Sequence, residues 1–144
     1  MKKYILDASV GAKWFFQEDL DEKARSFDRL LRTKEIAILV PEIFYPEIAN
    51  TCWKRVRRGI LSHADAWDAF DRLMTLPLES HSVRELSEGA LDNALEYSIS
   101  VYDALYLTLA EIYFASFVTA DEGLLKACRG RFDFIESLRD VKLS

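Results

Sequence analysis

Three short apolar runs punctuate the chain, and each stops at a residue that ends a strand or carries charge. Tyr4-Ile5-Leu6 stops at Asp7, Ile36 to Val40 stops at Pro41, and Phe117-Val118-Thr119 runs out just before Asp121. Between them apolar residues recur at helical spacing, as in Ala24, Phe27, Leu30 and Leu31. Strand-like runs alternating with amphipathic helices imply an α/β fold with a parallel sheet and helices on both faces. In such a sheet ligands bind beyond the carboxyl ends of the strands, so the residues ending each run are the ones to inspect for chemistry.

The rest of the chain fills in that alternation. Ser9 is placed to cap a helix carrying Trp14, Phe15 and Phe16. After Pro41 a helix carries Ile48, Cys52, Trp53 and Val56 and ends at Gly59. Ser62-His63-Ala64-Asp65 and Ser100-Val101-Tyr102-Asp103 read as box-like helix starts, the first running through Trp67, Phe70 and Leu73 and the second through Leu105, Leu109 and Ile112. A weak strand is expected near Leu78 to His81, a helix from about Val83 to Tyr97, a short helix around Leu124 and Leu125 closed by Gly130, and a last short strand at Phe134-Ile135.

A length of 144 residues suffices to bury one core without disulfides, so one domain over residues 1–144 is expected. With 19 basic and 24 acidic residues the net charge is −5, which gives no global field for nucleic acid or membrane; any such contact must be local. Cys52 and Cys128 stand far apart without the spacing of a zinc site, and are expected as reduced thiols. Only three apolar residues separate Met1-Lys2-Lys3 from Asp7, and no apolar run approaches membrane length, so a cytoplasmic protein without a membrane contact is expected.

Four acids fall at the functional edge: Asp7 and Asp121 at strand ends, Asp103 in the first turn of the helix before the last long strand run, and Glu47 early in the helix after the second. Asp103 serves equally well as part of a helix cap, and Glu47 alone reads as a solvated helix residue. Asp7 and Asp121 follow runs that look buried, where an ionised carboxylate is costly unless paired or ligated. Two carboxylates about 4 Å apart repel by roughly 4 kcal/mol at an effective dielectric near 20, so four together require cations. Oxygen ligands without cysteine or histidine select Mg2+ or Mn2+. The two histidines, His63 and His81, give a Ser-His-Asp triad little support.

The pieces Ile5-Leu6-Asp7-Ala8-Ser9, Pro41 followed by Glu47-Ile48-Ala49-Asn50, Val101-Tyr102-Asp103-Ala104-Leu105-Tyr106-Leu107 and Val118-Thr119-Ala120-Asp121 resemble, in order and spacing, the motifs of PIN-domain nucleases. The chain is similar in particular to the VapC-type toxins of toxin–antitoxin pairs. That resemblance implies a PIN-like three-layer sandwich with about five parallel strands in the order 3-2-1-4-5. It implies Asp7, Glu47, Asp103 and Asp121 as catalytic metal ligands for one or two Mg2+ or Mn2+ ions, with Ser9 and Thr119 as supporting hydroxyls; apart from the resemblance, Glu42 stands five residues before Glu47 as an alternative to it, and Glu122 follows Asp121 as a supplementary acid. The activity implied is metal-dependent endonucleolytic hydrolysis of RNA, and the partners implied are a second copy of the chain and an antitoxin whose helix and basic residues occlude the acidic pocket.

Lys54, Arg55, Arg57 and Arg58, with Lys13, form a local basic cluster for RNA phosphates, although basic residues at a helix carboxyl end also simply favour the dipole. Trp14, Phe15 and Phe16, adjacent in a helix, cannot all face one narrow core stripe, which leaves at least one for a partner. Two other function classes stay open. A phosphatase or phosphotransferase of another α/β family is disfavoured because Asp7-Ala8-Ser9 lacks the second acid of an Asp-x-Asp pair. A non-catalytic binding module would bind no magnesium and cleave nothing.

Overall fold

The computed structural model describes residues 1–143, leaving Ser144 of the expected 1–144 domain outside the described residues. Five strands form one sheet: β1 (Lys2–Leu6), β2 (Ile36–Pro41), β3 (Glu79–His81), β4 (Ser116–Thr119) and β5 (Ile135–Ser137). Their order is β3-β2-β1-β4-β5, and every adjacent pair is parallel. From β1 the chain builds outward through β2 and β3, then returns to lay β4 and β5 on the other side. The reversal of order therefore falls between β1 and β4.

Seven α-helices connect these strands: α1 (Ala8–Gly11), α2 (Asp21–Arg32), α3 (Phe44–Arg57), α4 (His63–Met74), α5 (Val83–Tyr97), α6 (Val101–Tyr113) and α7 (Glu122–Cys128). Successive side chains of a strand point to opposite faces, yet Tyr4, Ile5 and Leu6 are all buried, as are Ile38, Leu39 and Val40. Both faces of the central strands are thus covered by helices, which gives the three-layer sandwich. Helix α6 is the most buried of these covers, with every residue from Ala104 to Ala110 buried. Among the described residues no helix is long and apolar enough to cross a membrane. Cys52 and Cys128 are free and buried.

Ser62 and Ser100 cap α4 and α6 as their sequences imply, accepting from the backbone N–H of Asp65 and Asp103 at 3.0 Å each. Pro46 lies in the first turn of α3, where an N–H has no intrahelical acceptor to lose, so the helix begins at Phe44 and Glu47 keeps its place in the opening turn.

The segment after β1 departs from expectation. Asp7, not Ser9, caps α1, and that helix is only four residues long, followed by a 3-10 turn at Ala12–Trp14. The change of pitch removes the constraint that argued for an exposed ring: Trp14 and Phe16 are both buried, and Phe15 is half-buried. The Trp14 indole donates to the Ala24 carbonyl at 2.8 Å, fastening the turn to α2. The large exposed aromatic side chains lie elsewhere among the described residues, on Trp53 of α3, Trp67 of α4 and Tyr102 of α6, with Phe114 just beyond α6.

Candidate active site

Continuing the parallel register of Leu6 with Val118 by one step brings Asp7 opposite Thr119, and the two side chains meet there. Thr119 is fully buried and donates its hydroxyl to Asp7 Oδ2. Ser9 Oγ donates to Asp7 Oδ1 at 2.5 Å, and the Val10 N–H reaches the same oxygen at 3.3 Å as the helix cap. Both hydroxyls also accept from the strand leaving on the other side: the Ala120 N–H donates to Ser9 Oγ and the Asp121 N–H to Thr119 Oγ1, each at 3.0 Å. Ser9 and Thr119 therefore lace the exit of β1 to the exit of β4, and this lacing fixes where Asp7 and Asp121 emerge.

The four acids differ in surroundings. Asp7 is buried, and desolvation pushes its pKa up to about 6 against the opposing hydrogen bonds from Ser9, Thr119 and Val10; the charge of Asp103 adds to the rise. Asp103 is half-buried in the first turn of α6, where burial and then the charge of Asp121 raise its carboxyl. Burial also raises Glu47, with Asp103 adding and the Tyr106 hydroxyl opposing. Asp121 is exposed, contrary to the burial its preceding apolar run suggests, because it stands two residues beyond β4 as the cap of α7, accepting from Leu124 N–H at 3.1 Å.

These mutual effects run from Asp7 and Glu47 through Asp103 to Asp121, which makes the four carboxylates electrostatic neighbours on one rim. None of the four carries a lysine or arginine partner among the described residues. A rim of hard oxygen donors that repel one another and lack a cationic side chain suits a divalent cation. It is an open rim: among the described residues no three acidic, histidine or cysteine side chains close up as a finished metal cage.

Two residues join the site that sequence reasoning passed over. Tyr106 is buried, and its hydroxyl donates to Glu47 Oε1 at 2.6 Å. Burial and the adjacent Glu47 push the phenol upward, so it remains a neutral donor. Its position three residues after Asp103, hence on the same helix face, is a signal the sequence did carry. Glu18 offered none, since it lies in the loop between the 3-10 turn and α2.

Beside the rim opens a cleft of about 470 Å³ whose walls include Ser9, Lys13, Glu18, Glu47, Lys54 and Arg55. The basic cluster is thereby divided. Lys13, Lys54 and Arg55 face this cleft; Arg57 instead lies over the Trp53 ring at 5.0 Å and lines a separate apolar groove between α3 and α4, and Arg58 is an exposed residue at the end of α3. Glu42 and Glu122 are both exposed. His63 borders the α3–α4 groove, and His81 packs against Tyr113 beside Glu79, so neither approaches the Ser9 hydroxyl as a triad base.

Comparison with known proteins agrees with this architecture. Residues 4–130 match the model of the PIN domain family. Ribonuclease VapC3 of Pyrobaculum aerophilum is 32% identical over 127 residues, covering 85% of this chain and 92% of the relative. Exonuclease VapC9 of the same organism is 31% identical over 141 residues, covering 94% and 92%. A toxin–antitoxin complex from Klebsiella pneumoniae contains a chain that aligns at a TM-score of 0.67 over 96% of this chain and 99% of that one; at 14% identity the likeness speaks for the fold. With its sheet order, its acids at the strand exits and a family match over nearly its full length, the chain belongs to the PIN domain family.

Proposed function

We propose that residues 1–144 act as one PIN domain that hydrolyses RNA phosphodiester bonds endonucleolytically with Mg2+ or Mn2+, as the toxin of a toxin–antitoxin pair. The observation that carries this reading is the row of mutually repelling carboxylates, Asp7, Glu47, Asp103 and Asp121, lying without lysine or arginine partners among the described residues next to a cleft lined by Lys13, Lys54 and Arg55. Sequence similarity to relatives named as a ribonuclease and an exonuclease supports the nuclease class.

In this reading the four acids hold one or two divalent ions, which when bound supply a water of lowered pKa and stabilise charge on the phosphate. The chain's own residues do the rest. Ser9 and Thr119 orient Asp7 from both sides, Tyr106 fixes one oxygen of Glu47, and the cations of the cleft wall bind the phosphate backbone. No protein nucleophile is needed, because a bound ion would supply the attacking water, and the Ser9 hydroxyl, engaged with Asp7, has neither histidine beside it.

The same reading carries a cytoplasmic location, a homodimer and an antitoxin. The exposed aromatic groove between α3 and α4, lined by Trp53, Trp67 and Phe70, is apolar surface of the kind protein partners cover. The Klebsiella pneumoniae chain of the same fold is part of a toxin–antitoxin complex, which supports the antitoxin assignment.

The decisive experiment is incubation of purified protein with circular and linear RNA plus Mn2+, alongside an Asp103→Asn preparation. Cleavage of the circle by the native chain alone supports the proposal. Digestion of linear RNA only would make the activity exonucleolytic, and equal cleavage by both preparations would overturn the assigned site.

A further inference from the structure

Lys13 is 8% exposed, its stem packed away and its ammonium turned to the cleft, and a lysine so largely covered is costly unless an anion answers it. Its answer is a single carboxylate: Lys13 Nζ lies 3.6 Å from Glu18 Oε1. The other oxygen of Glu18 meets a second cation, Arg55, whose guanidinium stands 3.2 Å from Oε2. Arg55 is held there from behind, with its guanidinium carbon 4.2 Å from the centroid of the buried Phe16 ring. Two cations from different elements thus converge on one acid, and Lys54 adds a third positive charge to the same cleft wall.

Glu18 answers these cations loosely. The Lys13 contact is longer than a hydrogen bond, and Oε2, although buried, accepts no hydrogen bond from any donor among the described residues. A phosphate offers the same negative charge with more oxygens in a tetrahedral array, which suits one ammonium and one guanidinium approaching from different directions. The cleft leads directly to the acidic rim through Ser9 and Glu47.

From this geometry we infer that Lys13 and Arg55 form a phosphate subsite beside the acidic rim, and that Glu18 occupies it in the free chain and yields it to a phosphate group. Identification of that phosphate as one in the RNA backbone rests on the nuclease reading above; the subsite itself does not. Glu18 acts as a built-in competitor. It keeps the two cations apart and in place without substrate, and it sets a threshold that an incoming polyanion must exceed.

The test uses inorganic phosphate as the probe, without divalent ions and at matched ionic strength against chloride, with melting temperature as the readout. Glu18→Gln should melt lower than the native chain in chloride, recover with phosphate, and bind phosphate about fivefold or more tighter than the native chain. Lys13→Ala and Arg55→Ala should each lose the phosphate response. If Glu18 is merely a clamp, Glu18→Gln will bind phosphate equally or more weakly, and the inference is overturned. Glu18→Ala repeats the comparison should the glutamine variant fold poorly.

A second arm separates this inference from the function on which its RNA form depends. Binding of a labelled single-stranded RNA decamer with Ca2+ should tighten in Glu18→Gln and show a steeper salt slope, by about one. A phosphate response that follows the pattern above while RNA is neither bound nor cut would retain the subsite and sink the nuclease reading. RNA cleavage with no phosphate difference between native chain and Glu18→Gln would do the opposite.

Discussion

Thr119 donates its hydroxyl to Asp7 across 112 positions of sequence, and the same oxygen accepts the N–H of Asp121 at 3.0 Å. One buried side chain thereby sets the position of acids at two strand exits. Replacing Thr119 by valine keeps the shape and removes the hydroxyl, leaving a carboxylate oxygen and a backbone N–H without their partner. A stability loss of about 1 to 3 kcal/mol is expected in urea denaturation. Because the lost bond favours the ionised acid, the titration of Asp7 should also move upward from about 6, which carboxyl NMR of labelled aspartate would detect.

Asp7 itself opposes folding at neutral pH. Its folded pKa of about 6 lies above the ordinary 3.8, so its contribution to stability is full below pH 3.8 and lost as pH rises through 6. The shift corresponds to about 3 kcal/mol. Asp7→Asn, which retains a competent helix cap, should therefore gain about 1 to 3 kcal/mol at pH 8 and little near pH 4, while cleavage disappears. A destabilised variant at pH 8 would contradict the burial argument.

Metal should reverse that opposition. If the rim holds Mn2+, adding the ion at pH 8 raises the melting temperature of the native chain in proportion to the logarithm of its concentration, and does so far less in Asp7→Asn. An identical response in both would remove Asp7 from the ligand set.

Tyr106→Phe isolates the hydroxyl that fixes Glu47. The ring remains packed, stacked on Phe117 with centroids 5.9 Å apart, so folding stability should change by no more than about 1.5 kcal/mol. Calorimetric affinity for Mn2+ is expected to fall by about tenfold, as for loss of an outer-shell partner of a metal ligand. Unchanged affinity would make Tyr106 a core residue only.

Gly11 marks where α1 and α3 touch. A Cβ at this position would lie 2.5 Å from the ring of Phe44, which is itself fully buried and has no room to yield. Gly11→Ala should cost about 1 to 3 kcal/mol by overpacking and push apart the helices carrying Ser9 and Glu47. Thermal denaturation reads the first effect and Mn2+ affinity the second.

The sequence by itself determined the elements and their order. Apolar period, serine caps and closing glycines are local, so α5 falls on Val83–Tyr97 as its spacing implies, Ser100 caps α6, and Gly59 and Gly130 take the positive φ that ends a helix. The strand-end placement of Asp7 was equally legible. The length of the first helix was not, because three aromatic residues in a row fit a helix as well as the 3-10 turn that tertiary packing imposes at Trp14. Nor was the burial contrast between Asp7 and Asp121, which depends on how far each stands beyond its strand. The bonds of Thr119 to Asp7 and Tyr106 to Glu47, and the shared hold of Lys13 and Arg55 on Glu18, join residues that no local pattern connects. Local propensity acts over a few residues, whereas these contacts exist only because parallel strands and crossing helices bring distant segments to one edge.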